Sequence, residues 1–296
     1  MSASEIGQQL INVLSLGSTY ALLALGLALV FGVMGLVNFA YGELVTITGY
    51  TMYLMTINGV PWGLAVVCGI TFATIASLLM ERLAFRPLRN ASFLTLLFAS
   101  FALSVILQNV FRATVSPRTK GIRGPGLLIE SLQIGPLTIS WMSIVTIVVG
   151  AAALILLTLF MRGSLAGISM RAAAENFSVA RLMGIKANRV IALAFVISGL
   201  LAGVAGVLWV SRSGSVSPAM GFVPILKAFI ATVIGGLGSL PGAVLGGFVL
   251  AAAEIFFIVV LPTSVQPFSD PFALLLVIAI LYFKPNGLLA PVAERV

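Results

Sequence analysis

Histidine is absent from this chain of 296 residues, and cysteine occurs once, as Cys68. The chain therefore has no imidazole for general acid–base catalysis, for pairing with a serine or cysteine nucleophile, or for binding a metal. One cysteine excludes an intrachain disulfide, and the phosphate-binding motif G-x-x-x-x-G-K-[ST] is missing, which excludes ATP binding of the P-loop type. These absences argue against an enzyme, and we expect no metal or other cofactor in this chain.

Charge is also scarce, at 8% of residues, whereas 60% of residues are hydrophobic and the mean hydropathy is +1.18. A helix that spans a bilayer needs about 20 mostly apolar residues. Six runs longer than that contain no Asp, Glu, Lys or Arg: 6–42, 44–80, 90–111, 131–161, 190–211 and 228–253. The strands of a membrane barrel alternate apolar and polar residues, and these runs do not. The sequence therefore predicts an all-α, polytopic membrane helix bundle.

We predict a single transmembrane domain over 1–296, with about nine spans and a range of eight to ten. The first run is interpreted as a retained span, because the preceding "MSASEIGQQL" lacks the basic segment of a cleavable signal peptide. The predicted spans are 8–33, 36–57, 61–80, 92–111, 141–161, 190–211, 222–237, 241–261 and 271–284.

The basic residues predict the orientation of the bundle. Ten Lys or Arg residues lie in 81–90, 162–189 and 284–296, against five in the loops on the opposite side. The positive-inside rule then places the N-terminus outside, 112–140 in an external loop, and 162–189 and the C-terminus in the cytoplasm. Anionic lipid explains the net charge of +8 better than nucleic acid does, because the basic residues lie between spans.

Two glycine-rich stretches interrupt the hydrophobic pattern, "FGVMGLVNFAYGE" (31–43) and "IGGLGSLPGAVLGG" (234–247). Each follows a predicted inward span and precedes a span that carries one glutamate. This correspondence suggests a parallel internal repeat with broken or re-entrant helices, an arrangement that points to a pathway at mid-membrane. Broken backbone at that depth is tolerated where protein or water satisfies it.

The ionisable residues within predicted spans are Glu43, Lys227 and Glu254. Because charge is costly at membrane depth, such residues line a pathway, or pair with one another and hold helices together. Near Glu43, the Asn38 amide and Tyr41 hydroxyl are candidates to coordinate a small polar solute, although Asn38 is equally suited to cap the following helix. A proton relay through these carboxylates and Lys227, in an ion-coupled transporter, is a further alternative.

Charge is concentrated in "RAAAENFSVARLMGIKANR" (171–189). We predict one short helix over 171–183, ended by Gly184 in the left-handed conformation. The pattern gives it a small apolar face formed by Ala174, Phe177, Ala180 and Met183. Residues Arg171 and Glu175 form an i,i+4 pair on the other face. A helix of this length cannot cross a bilayer, so it either docks in a groove of another protein or rests on the inner leaflet.

Several of these motifs resemble a known family. The run "AAAENFSVARLMGI" and the span after it resemble the cytoplasmic coupling loop of ATP-binding-cassette importer permeases. The stretches "GLVNFAYGELVTITGY", "KAFIATVIGGLGSLPGAVLGGFVLAAAE" and "YFKPNGLL" resemble the high-affinity branched-chain amino acid permease family, specifically its H-type subunit. The resemblance covers nearly the whole chain.

The resemblance implies a permease subunit in the bacterial inner membrane. Its partners would be a homologous second permease, two cytoplasmic ATPases that hydrolyse the ATP, and a periplasmic binding protein. The residues implied in coupling are Arg171, Ala173, Ala174, Glu175, Ala180, Arg181 and Gly184. Those implied in the pathway are Asn38, Tyr41, Glu43, Lys227 and Glu254. The chain departs from the family pattern at Tyr41, where histidine is common, and at Glu175, which follows the alanine pair. An importer of urea or short amides remains the alternative within this class.

Overall fold

The computed structural model describes residues 3–89, 91–122, 124–126 and 130–289. Eleven α-helices lie within these residues. They are α1 (Ala3–Met34), α2 (Gly42–Ile57), α3 (Trp62–Met80), α4 (Phe93–Thr114), α5 (Trp141–Gly163), α6 (Leu165–Glu175), α7 (Phe177–Leu182), α8 (Ala187–Ser213), α9 (Phe222–Gly235), α10 (Leu240–Val260) and α11 (Ser269–Phe283). Short 3₁₀-helices occupy Phe39–Tyr41 and Gln266–Phe268, and a π-helical turn, Glu81–Phe85, extends α3.

A helix lies at each of the nine predicted spans. Within the described part of the chain, seven helices are long and apolar enough to cross a membrane. These seven are Ser4–Met34, Trp62–Phe85, Phe93–Thr114, Trp141–Gly163, Ala187–Ser213, Leu240–Val260 and Gln266–Phe283. The remaining two, α2 and α9, have 16 and 14 residues. The predicted all-α, polytopic class is confirmed, and two of the nine predicted spans are incomplete.

The bundle has two chemically different ends. At the strand end, the described residues form four short strands outside the long helices: β1 (Lys120–Gly121), β2 (Ser131–Ile134), β3 (Leu137–Ser140) and β4 (Ser215–Val216). Strand β1 pairs with β4, and β2 with β3, both antiparallel. The basic end carries the turn after α3, helices α6 and α7, the turn 236–239 and residues 284–289. The described residues of the predicted loop 112–140 lie at the strand end and include three of the strands.

Helices α1 and α8 form the centre of the bundle. In α1, 83% of the most apolar window is buried within the protein, and in α8 the figure is 61%, against 17% in α4 and α11. Side chains along α1, among them Leu23, Ala24 and Ala28, have no exposed surface. The peripheral helices α4, α5 and α11 therefore offer most of their surface to lipid.

The two short helices begin inside the bundle and meet at their N-termini. A Cβ added to Gly42, at the start of α2, would lie 2.4 Å from the Gly221 carbonyl oxygen, and one added to Gly221 would lie 2.0 Å from the Gly42 oxygen. At 1.5 Å per residue, α2 extends about 24 Å to the strand end and α9 about 21 Å to the basic end. Both are shorter than the roughly 30 Å hydrocarbon core, so each is a broken span.

The interruption predicted at 31–43 is present, but the one at 234–247 differs. A tight turn occupies 236–239 at the basic end, and α10 then runs unbroken for 21 residues. The second break lies before α9 instead, at 217–221. The glycines of 234–247 instead allow α9 and α10 to pack closely, since Gly246 lies against the Ala231 carbonyl. The parallel repeat remains a prediction.

The end of the described chain closes the basic end of α9. The amides of Leu288 and Leu289 donate to the carbonyls of Ile234 and Gly235, at 2.8 and 2.9 Å. The last carbonyls of a helix have no partner within it, so these two bonds satisfy groups that α9 leaves open. Segment 284–289 therefore links α9 to α11.

Candidate functional site

The charged stretch 171–189 forms two helices rather than the single helix predicted. Helix α6 ends at Glu175 and α7 begins at Phe177. Between them Asn176 adopts an extended conformation (φ −150°), and its side chain accepts a hydrogen bond from the Val179 amide at 3.1 Å. Asparagine in this position satisfies an amide that a new helix leaves open, so it starts a helix instead of continuing one. The prediction of one helix over 171–183 is wrong for this reason.

The break changes which side chains face outward. Met170, Ala173 and Ala180 are buried against the bundle, whereas Leu182 and Met183 are 87% and 79% exposed. The predicted apolar face is therefore wrong in two of its members, since Met183 faces away from the protein and Ala174 is also exposed. The α6–α7 pair is anchored on small buried residues and presents large apolar ones at the basic end.

Gly184 ends α7 as predicted. Its φ is +84°, in the left-handed region, and its amide donates to the Arg181 carbonyl at 3.1 Å. The next amide, of Ile185, donates to the Ala180 carbonyl at 3.1 Å. This is the paired hydrogen-bond pattern of a Schellman motif, in which glycine is favoured because a side chain would be strained. The turn directs the chain from α7 back towards α8.

The predicted pair between Arg171 and Glu175 is not formed. The Arg171 guanidinium instead donates to the carbonyl of Met161, in the last turn of α5. A cation there is favoured because the final carbonyls of a helix carry partial negative charge. Glu175 is exposed, and the ion pairs among the described residues do not include it. Arg171 therefore ties α6 to α5, and Glu175 is free to meet a partner.

A cleft of about 1110 Å³ opens at the basic end between α1, the α6–α7 pair and the start of α8. Its lining includes Phe31, Arg89, Ala173, Ala174, Phe177, Arg181, Lys186, Arg189 and Gly238. One of its cations is already engaged, because Arg89 forms an ion pair with Glu81 and donates to Asn188 at 2.5 Å. Of the predicted coupling residues, Ala173, Ala174 and Arg181 line this electropositive cleft.

Two of the predicted pathway residues form an ion pair. Lys227 of α9 contacts Glu254 of α10 at 2.5 Å and Asp270 of α11 at 3.1 Å. The Tyr20 hydroxyl of α1 donates to the second Glu254 oxygen at 2.8 Å. Glu254 is 4% exposed. This cluster holds four helices together, which is the alternative that the sequence left open for Lys227 and Glu254.

Replacing Lys227 with methionine should destabilise the bundle, because it leaves the Glu254 carboxylate buried without its cation. Breaking a buried pair from one side costs about 3 kcal/mol or more in proteins, whereas removing both charges costs much less. We therefore expect the thermal midpoint of detergent-solubilised protein to fall for Lys227→Met and to recover largely in Lys227→Met/Glu254→Gln. A double variant no more stable than the single one would contradict this role.

The remaining pathway candidates lie in segment 35–43, at the inner end of the first broken span. Glu43 is 1% exposed, and its Oε1 accepts hydrogen bonds from Ser104 Oγ and Gln108 Nε2 of α4, both at 2.8 Å. Its Oε2 has no hydrogen-bond partner among the described residues, and neither has Oδ1 of Asn38, which is 2% exposed. Asn38 precedes the 3₁₀-helix but makes no capping bond, so the capping interpretation is wrong. The Tyr41 hydroxyl lies against Gly26 of α1.

The hydrogen-bond partners of Glu43 were not predicted from the sequence. Ser100, Ser104 and Gln108 recur every four residues along α4, so they share one helical face. Ser100 accepts from the Phe39 amide at 3.2 Å, and the other two bond Glu43. A polar stripe on an otherwise apolar span was the available signal. Through the hydrogen bonds of this stripe, α4 contacts the inner end of the first broken span.

The five predicted pathway residues thus fall into two groups. Asn38, Tyr41 and Glu43 lie along the first broken span, and the bonds of Glu43 lead to α4. Lys227 and Glu254 bond to α1 and α11. Hydrogen bonds between described side chains do not connect the groups, so the proposed proton relay lacks a direct link.

Residues 9–282 match the family described as the permease component of the branched-chain amino acid transport system. The chain belongs to this family. The chain is 38% identical to the high-affinity branched-chain amino acid transport system permease protein BraD of Pseudomonas aeruginosa, and 37% identical to its counterpart LivH of Escherichia coli K12. Each match covers 98% of this chain and 97% of the relative. A probable LivH of Methanocaldococcus jannaschii is 28% identical over 96% of this chain and 93% of that one.

The family and the fold agree. Seven long, apolar helices among the described residues make this permease a multi-pass membrane protein. The family match begins within α1 and ends within α11, so it includes both broken spans, the α6–α7 pair and the Lys227–Glu254 cluster. The resemblance drawn from the sequence motifs is confirmed.

Proposed function

We propose that this chain is a permease subunit of an ATP-driven importer of branched-chain amino acids. Its similarity to BraD and LivH over nearly their full lengths carries this proposal. The partners would be a second, homologous permease, two cytoplasmic ATPases and a periplasmic solute-binding protein. The chain itself would hydrolyse no ATP, because it lacks a P-loop.

The α6–α7 pair supports docking to the ATPases. Leu182 and Met183 point away from the bundle, beside the exposed Glu175 and Arg181. Large apolar residues surrounded by charge are typical of a protein interface. Because Arg171 is bonded to the end of α5 and Ala173 is buried, a push on α7 would reach the bundle through α6. The pair is thus built to transmit movement.

The broken spans supply a place where the bundle can change conformation. Helices α2 and α9 meet end to end, so one half can tilt relative to the other without bending a continuous helix. In the orientation we propose, the basic end, which carries the α6–α7 pair, is cytoplasmic and the strand end is external. ATP binding would then move the cytoplasmic half first, and the two ends would open alternately.

Reconstitution tests this function. The permease, its homologous partner and the two ATPases are placed in liposomes, with leucine-loaded binding protein outside and ATP inside. We expect leucine to accumulate only when ATP and all four membrane-bound subunits are present. The permease alone, driven by a pH gradient, should accumulate none. Uptake by the chain alone would contradict the proposal, and accumulation of urea or short amides in place of leucine would contradict the solute class.

A further inference from the structure

Glu43 is a buried carboxylate without a cation. It is 1% exposed at the inner end of α2. Ser104 and Gln108, which donate to its Oε1, are neutral, and so is Thr46 of the same helix, which also interacts with it. The ion pairs among the described residues join Arg89 to Glu81 and Lys227 to Glu254 and Asp270. None of them includes Glu43. Glu81 and Glu254 are also buried but are paired, so among the described carboxylates only Glu43 is both buried and without a cation.

Burial opposes the charged form of Glu43, but its hydrogen-bond donors and its place in the helix favour that form. It lies in the first turn of α2, where the helix dipole attracts negative charge. The Gln108 amide nitrogen is purely a donor, and it points at Oε1 with the Ser104 hydroxyl. Charge that is buried and unpaired is nevertheless costly. The Glu43 carboxylate therefore has hydrogen-bond donors and a helix N-terminus beside it, but it has no cation.

The open positions are acceptors. Oε2 of Glu43 and Oδ1 of Asn38 are both buried without a hydrogen-bond partner among the described residues, and they lie on the same broken span. A ligand group that carries positive charge and several donors satisfies both. An ammonium group has three N–H donors and no acceptor. An amino acid presents one such group whatever its side chain.

We propose that Glu43 and Asn38 bind the α-ammonium group of the transported amino acid, with Ser104 and Gln108 as positioning residues that orient the carboxylate. This inference rests on the proposed function. The stripe on α4 covers Glu43 in the present conformation, so the ligand enters when α4 separates from segment 37–43. Helix α4 also contacts this segment through the stacked rings of Phe39 and Phe101, whose centroids lie 4.3 Å apart.

The test uses the full complex in liposomes and compares leucine delivered with ATP hydrolysed. Glu43→Gln keeps the size and one acceptor oxygen for Ser104 and Gln108, but it removes the charge and replaces the other oxygen with an NH2 donor. We expect stimulation of ATP hydrolysis by loaded binding protein to persist, while leucine delivered per ATP falls roughly tenfold or more, the scale of one lost charge-assisted hydrogen bond. Glu43→Asp should restore part of the ratio. Gln108→Leu should lower it less than Glu43→Gln does.

Tyr50→Phe is the matched control. It removes another buried oxygen of α2 that has no hydrogen-bond partner among the described residues, at the strand end of the same helix. Its ratio should equal that of the wild type. If Glu43→Gln does not assemble, Asn38→Leu, which removes the second acceptor, takes its place and should lower the same ratio.

Three outcomes would overturn the inference. The first is a wild-type ratio in Glu43→Gln or in its substitute, which would mean that the site takes no cation. The second is an equal loss in Tyr50→Phe, which would indicate general damage to α2. The third is loss of wild-type uptake on removing sodium, which would assign the site to a metal ion. Wild-type complex that neither assembles nor takes up leucine would instead contradict the proposed function.

Discussion

Gly221→Val should leave almost no folded permease in the membrane. A Cβ at this position would lie 2.0 Å from the Gly42 carbonyl oxygen and 2.5 Å from its carbon, both backbone atoms that cannot rotate away. Overpacking by a flexible contact costs about 1–3 kcal/mol, and a backbone collision exceeds this. That is a large share of the roughly 5–15 kcal/mol by which proteins are stable. Monodisperse protein after detergent extraction, measured by size-exclusion chromatography, is the readout.

Gly63→Val is the control for this substitution. Gly63 lies in the first turn of α3, and a Cβ there meets nothing within 4 Å. The same change in side-chain volume should therefore leave the monodisperse fraction unaltered. Gly42→Val, on the other side of the junction, should behave like Gly221→Val. A Gly221→Val protein with wild-type yield and thermal midpoint would show that α2 and α9 do not meet as described.

Leu182→Asp should abolish ATP-driven uptake and leave the permease folded. Leu182 is 87% exposed, so the substitution removes no packing within the chain. At an interface the new carboxylate would be buried without a partner, which costs about 2–4 kcal/mol at a residue central to binding. We expect the affinity for the ATPases to fall roughly 30- to 1000-fold. Co-purification of the ATPases and leucine uptake in liposomes measure the effect.

Leu83→Asp provides the comparison. Leu83 is 74% exposed at the same end of the bundle, but it lies in the turn that extends α3. It should retain the ATPases, because it lies outside the α6–α7 pair. Unchanged ATPase binding by Leu182→Asp would exclude α7 as the docking element. It would favour the other interpretation of this segment, a helix that rests on the lipid surface.

The fold was largely accessible from the sequence because a bilayer imposes a simple rule. Long apolar runs must be helices, and a helix lies at each predicted span. The length of α2 was harder to predict, because the residues before it, such as Leu36 and Val37, are as apolar as those within it. Hydropathy predicts that a segment is buried in an apolar environment. It does not distinguish a helix in lipid from an extended segment that is buried by the surrounding protein.

The candidate sites also divide into features that have a local sequence signal and features that depend on contacts between distant helices. Gly184 was predictable because its role is local, and the break at Asn176 also has a local signal that the alanine-rich pattern outweighed. The partner of Lys227 was not predictable, since Glu254 is 27 positions away and nothing in the spacing links them. The environment of Glu43 likewise depends on α4, more than 60 residues along the chain. Contacts between helices are decided by packing, which a linear pattern does not record.

The junction of α2 and α9 has a consequence for biogenesis. A nascent segment is released into lipid one span at a time, and α2 is too short to be stable there alone. Its open inner end, near Gly42, has its partner only when Gly221 has been synthesised, some 180 residues later. Until then the first broken span has to be sheltered by the insertion machinery. A chain truncated before α9 should therefore be a substrate for membrane quality control, even though it contains five complete spans.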